Sequence, residues 1–167
     1  MNLQIVIDAV LDRIKIDTTL YATGAWTAAL PGGITAILGP QSASPSFPYG
    51  VINATWGEDN GAFEAVGAAF TVTITVVDKR ENATDKLLTI SNRLMGDSMK
   101  QATRLPSYGL HRWTPTLTTD ATLNPLGVVA DGCLYANLGG TGPEAQGTDH
   151  ISQDFVFEGR LSAPLNP

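Results

Sequence analysis

Val66-Gly67-Ala68-Ala69-Phe70-Thr71-Val72-Thr73-Ile74-Thr75-Val76-Val77 runs without a break into Asp78-Lys79-Arg80-Glu81, and this passage decides the fold. Side chains of an extended chain alternate between two faces, so Phe70, Val72, Ile74 and Val76 share one face and Thr71, Thr73 and Thr75 the other. Branching at Cβ in Val, Ile and Thr favours a pleated backbone. The spacing predicts a core strand over residues 66–77, after which the charged run at 78–81 turns the chain into water. Asn82 then stands where a helix N-cap belongs, with Asp85 three residues on as the acid of a capping box. Leu87, Leu88, Leu94 and Met95 form an apolar stripe extended by Ile90 and Met99, while Asp85, Thr89, Asn92, Arg93, Gly96 and Lys100 take the opposite side. A helix over residues 82–99 is expected to cover the apolar face of the strand.

The rest of the chain assembles around this pair. Leu3, Val6, Ile7, Val10, Leu11 and Ile14 recur at helical spacing and predict a first amphipathic helix over residues 2–17. A short strand is expected at 34–38, and Pro45 and Pro48 hold the following connector extended. Residues 49–56 read as a strand that returns through the polar turn 57–61 to form a long antiparallel hairpin with 66–77. Beyond Pro106, residues 108–119 read as another strand pushed to an edge by Pro115. Residues 120–149, rich in glycine, are the least regular part, with a short strand around 132–137. A last strand runs over 151–161, with Phe155 and Phe157 on one face. The order helix, strand, strand, strand, helix, strand, strand in a single domain over 1–167 predicts an α+β fold. Both helices then lie on one face of a mostly antiparallel sheet.

The chain has 167 residues, 43% of them hydrophobic and 16% charged, with a formal net charge of −6. That balance suits a globular domain and argues against a phosphate-gripping nucleic-acid binder, which needs clustered Lys and Arg. Asp8, Asp12 and Arg13 interrupt the first apolar run, which excludes a membrane span there. Cys133 is the single cysteine, so no internal disulfide forms. Neither His111 nor His150 sits in a nucleophile–base motif, and with Cys133 they lack the short spacings of a zinc site. The run Gly139-Gly140-Thr141-Gly142-Pro143-Glu144 lacks the Lys-Ser/Thr of a phosphate loop. Glu58-Asp59-Asn60 lacks the alternating ligands of a calcium loop. No enzyme activity, cofactor or metal is expected. Trp56 and Phe63 flank a polar turn containing Glu58 and Asp59, an interface-like composition. With the Thr71, Thr73 and Thr75 face they form the candidate contact surface.

The order of elements resembles the tail-terminator, or tail-completion, proteins of long-tailed bacteriophages, the lambda type in particular. The resemblance is carried by Gly39-Pro40-Gln41, Phe47-Pro48-Tyr49-Gly50-Val51-Ile52, Thr71-Val72-Thr73-Ile74-Thr75-Val76 and the helix over 83–99. It covers residues 2–119 and 151–161, and the chain departs from the family in the insert at 120–149. The resemblance implies a non-enzymatic virion component, assembled in the host cytoplasm as a homo-oligomeric ring of six. Such a ring caps the tail tube and contacts the tube protein and the head-completion or connector protein. Genome DNA passes through it without sequence-specific binding, and no membrane is involved. A tail-tube or neck subunit is the alternative within that class. From other classes, Trp56, Trp113 and Tyr135 offer stacking platforms for a small ligand or carbohydrate, and a hydrolase using His111 or His150 ranks last.

Overall fold

A helix, three strands, a second helix and four strands follow one another in the computed structural model. It describes residues 3–17, 34–36, 47–57, 67–79, 83–97, 106–137, 144–146 and 149–163. The elements are α1 (Gln4–Lys15), β1 (Ile34–Ala36), β2 (Tyr49–Trp56), β3 (Gly67–Lys79), α2 (Ala83–Met95), β4 (Val129–Ala130), β5 (Tyr135–Ala136), β6 (Glu144–Gln146) and β7 (His150–Ser162). The fold is α+β. Its sheet is antiparallel except where β1 runs parallel to β2.

The central feature is a ladder of thirteen pairs between β3 and β7, from Gly67↔Ser162 to Lys79↔His150. Opposed residues share a face, so Val72 meets Phe157 and Ile74 meets Phe155 on the apolar side. Thr71 meets Glu158 and Thr75 meets Asp154 on the other side. On the far flank of β3, β2 pairs from Tyr49↔Val77 to Trp56↔Phe70, the long hairpin expected from the sequence.

Phe70, Val72, Ile74 and Val76 are at most 1% exposed. They share one core with Ile5, Val6, Val10 and Ile14 of α1 and with Leu87, Ile90 and Leu94 of α2. Both helices therefore cover the same face. Leu88, expected on the buried stripe, is 59% exposed; Leu87, Ile90 and Leu94, spaced three and four apart, suffice for the contact. Asp78, expected to turn into water, stays in the ladder opposite Ile151 and is buried. The proposed cap at Asn82 lies outside the described residues.

α2 ends at Met95 rather than Met99, because Gly96 takes φ +86° while its N–H donates to the Asn92 carbonyl. The backbone there touches a second glycine. A Cβ on Gly109 would lie 2.3 Å from the Gly96 Cα, so neither position has room for a side chain. This contact explains why 108–119 is not the strand its sequence predicts. The Leu110 N–H donates to the Leu94 carbonyl and the Arg112 N–H to the Leu134 carbonyl, and Arg112 adopts φ 61°. The segment spends its backbone groups on a helix end and a loop instead of a ladder.

Two arginines brace the same corner. Arg93 donates from Nε to Asp17 Oδ2 at 2.9 Å and from a terminal nitrogen to Oδ1 at 2.6 Å, and its guanidinium lies 3.6 Å from the Tyr108 ring centroid. Arg13 donates to the Gly109 and Pro106 carbonyls and lies over Trp113. The pair with Asp17 holds Arg93 above its ordinary pKa, whereas burial lowers Arg13; both stay charged at neutral pH.

The insert at 120–149, expected to be irregular, supplies a broken edge strand along the free flank of β7. β4 pairs with Leu161 and Ser162, β5 with Phe157 and Glu158, and β6 with 150–152. Five steps from Ala130 to Tyr135 face three from Leu161 to Glu158. The surplus is taken up at Gly132, φ +93°, as in a bulge. Upstream, buried Asn124 replaces strand pairing by donating from Nδ2 to the Thr118 and Val128 carbonyls while its Oδ1 accepts the Val128 N–H.

If this core carries the stability, Leu94→Ala lowers the unfolding free energy by about 2–5 kcal/mol through the cavity it leaves. Thr73→Val on the opposite face changes it by no more than about 0.5 kcal/mol. Urea unfolding of the two variants makes the comparison; the reverse ranking means that the faces are assigned backwards.

Candidate functional site

Covering one side of the sheet with both helices leaves the other to the odd-numbered residues of β3 and their partners. Thr71, Thr73 and Thr75 are half-buried there, flanked by Thr55, Asn53 and Val51 of β2 and by Glu158, Val156 and Asp154 of β7. Thr75 donates from Oγ1 to Asp154 Oδ1 at 2.6 Å, which fixes one carboxylate against the strand. By register Lys79 and Arg160 lie toward opposite ends of this face, with Asp154 and Glu158 between them.

At the Arg160 end the face opens into a cleft of about 650 Å3. Its walls come from the end of β2, the start of β3, the end of β7 and the 131–135 stretch of the edge strand. Small residues meet at the cleft, where a Cβ on Gly57 would lie 3.0 Å from the Ala69 Cβ, and the core side of the same strands is closed at Gly159. A Cβ on Gly159 would lie 2.5 Å from Phe70 Cζ and 2.7 Å from Leu134 Cδ2. Only glycine at 159 lets the Phe70 ring and Leu134 close over the strand.

Tyr135 is the exposed aromatic of this cleft, with 56% of its surface accessible. Its ring stands edge-on to His111, with centroids 6.0 Å apart and planes at 79°. Hydrogen bonding with the Cys133 thiol raises the Tyr135 hydroxyl above its ordinary pKa. Glu158 faces Tyr135 across the ladder and accepts from Asn137 Nδ2 at 3.2 Å. His111 is buried, and its Nδ1 accepts the Ala136 N–H at 3.0 Å. The histidine thus positions the edge strand on which Tyr135 stands. Burial first, then the charge of Arg112, lowers the His111 pKa below its ordinary value.

Of the residues singled out in the sequence, Thr71 reaches the cleft, and Trp56, 42% exposed, ends the strand beside it. Glu58, Asp59 and Phe63 lie outside the described residues. The three stacking candidates are not one platform: Trp113 lies beneath Arg13 while Tyr135 lines the cleft. His111 and Trp113 lie in a segment that is not a strand. His150 is far from His111, at the opposite end of β7 from the cleft, stacked on Phe47 with centroids 4.8 Å apart. Among the described residues no group of three His, Cys, Asp or Glu side chains is placed to hold a metal ion.

Sequence reading missed Asp131, Glu158 and Arg160 as cleft residues. The alternation of buried Phe155 and Phe157 with their neighbours carried a signal for the latter two; two-residue β4 and β5 were too short to show any for Asp131. No family profile and no curated protein matches this chain by sequence. Among the described residues no helix is long and apolar enough to cross a membrane.

The His111 geometry has a pH signature. Its folded pKa lies below 6.5, so its neutral form contributes fully above that pH. The contribution is lost as pH falls from there through the folded value. Wild-type protein is expected to lose urea resistance between pH 7 and pH 5 more steeply than His111→Asn, whose carbonyl oxygen retains an acceptor. Equal slopes would remove His111 as the sensor.

Proposed function

We propose that this chain is a ring-forming structural subunit of a phage tail, a tail terminator in particular, with no catalytic role. One observation supports the reading most: both helices lie on a single face, leaving a broad polar sheet face built from Thr71, Thr73 and Thr75. Antiparallel sheets commonly leave one polar face to water, and in a ring subunit that face serves as the wall of a channel. The Asp154 and Glu158 carboxylates and the threonine hydroxyls would let a phosphate backbone pass without holding it. In this arrangement Trp56, half-exposed at the end of β2, belongs to the contact between neighbours. Large aromatics at the centre of an interface carry much of its energy.

Cyclic closure repeats one heterologous contact around an axis. Mass photometry and negative-stain imaging of the purified chain are expected to show a closed ring, six-membered by the sequence resemblance. Trp56→Ala is expected to weaken each contact by about 2 kcal/mol and depopulate the ring without lowering the unfolding midpoint. A protein that stays monomeric at high concentration, alone and with tail-tube protein, overturns the proposal.

A further inference from the structure

We infer that the cleft between Tyr135 and Arg160 is a binding site for a neutral saccharide of about two pyranose rings. The inference does not depend on the ring reading, although Thr71 and Glu158 belong to the face that reading uses and Trp56 ends the strand beside the cleft; it is tested on the single chain. The volume, about 650 Å3, falls within the range of small-ligand sites. Its lining combines complementary chemistry in five residues: Tyr135, Asp131, Glu158, Arg160 and Thr71.

Their balance selects the ligand class. Arg160 forms no ion pair with the described residues; the ion pairs found among them are Lys15–Asp12 and Arg93–Asp17. An anion drawn to Arg160 meets two carboxylates, and a cation drawn to the carboxylates meets the guanidinium. A sugar hydroxyl avoids both conflicts, because it donates to a carboxylate and accepts from a guanidinium at once. Charge-assisted hydrogen bonds of this kind are the stronger ones. Tyr135 adds an apolar face for the C–H side of a pyranose ring. Its ring is oriented beforehand by the edge-on contact with His111. Glu158 is likewise oriented by Asn137. Groups fixed before binding spare the complex part of the ordering cost.

The test is an amide chemical-shift titration of the isotope-labelled full chain with cellobiose, maltose and N,N′-diacetylchitobiose, beside spermidine and inorganic phosphate. The expected result is saturable binding of at least one disaccharide, with shifts centred on Thr71, Tyr135, Glu158 and Arg160. Spermidine and phosphate should bind more weakly. Tyr135→Ala is expected to weaken disaccharide binding about tenfold or more with an unchanged unfolding midpoint. Arg160→Ala, at an exposed position, provides the same readout if the tyrosine variant fails to fold. No saturable shift with any of the three disaccharides overturns the inference, as do shifts mapping away from the cleft. Tighter binding of spermidine or phosphate excludes the saccharide class, and unchanged affinity in the folded variants excludes this site.

Discussion

The ladder between β3 and β7 is the constraint on which the remaining structure depends. Thirteen consecutive pairs tie residues far apart in the chain into one register. Because strand side chains alternate, that register places Phe70, Val72, Ile74, Val76, Phe155 and Phe157 together on one side. A slip of one residue would send each of them to the other face and bring threonines into the core, so burial of the apolar set specifies the pairing strongly. Everything else is attached to this two-stranded spine: β2 on one flank, the broken edge strand on the other, and both helices across its apolar face. The polar face and its cleft arise from the same alternation.

The helices are joined to each other by polar as well as apolar contacts. The Asp17 carboxylate is 3% exposed and the Arg93 side chain 25% exposed. The pair is therefore largely withdrawn from water, and losing either partner would strand a charge. Arg93 also stacks on Tyr108, while Arg13 takes two backbone carbonyls of the neighbouring segment. The ends of α1 and α2 and the start of the 106–137 region are consequently one braced corner. Its line of contacts continues through the Arg112 N–H to Leu134 and through His111 to Ala136. The edge strand that carries Tyr135 is thereby held from behind by the helical layer.

Where the sequence was periodic it was readable. The strand 66–77, its hairpin partner 49–56, the helix after it and the last strand all carry a period long enough to survive local noise, and the α+β class followed from their order. Residues 108–119 misled because Tyr108, Trp113 and their threonines have strand propensity. What overrides it is the contact of Gly109 with Gly96, which joins parts of the chain that no local window spans. Asp78 looked like the first residue of a solvated turn, yet the ladder extends through it. The Thr71, Thr73 and Thr75 face was legible for the same reason as the core, being the other half of one alternation. The cleft was not, because its walls come from four separate parts of the chain and its opening is set by which side chains are missing. The readings of Glu58, Asp59 and Phe63 concern residues outside those described.

The fragmentation of the edge strand along β7 bears on the life of the newly made chain. A sheet margin with regularly spaced donors and acceptors is a template for strand addition, the route to fibres in crowded solution. Here that margin is cut into three short pieces, and the register shifts between them. Eight steps from Ala136 to Glu144 stand against five from Phe157 to Ser152, so a straight incoming strand cannot follow the margin for long. The opposite margin, at β2, is covered by β1 only from Gly50 to Ile52 among the described residues. Strand addition along the β7 margin, by contrast, would be cut short.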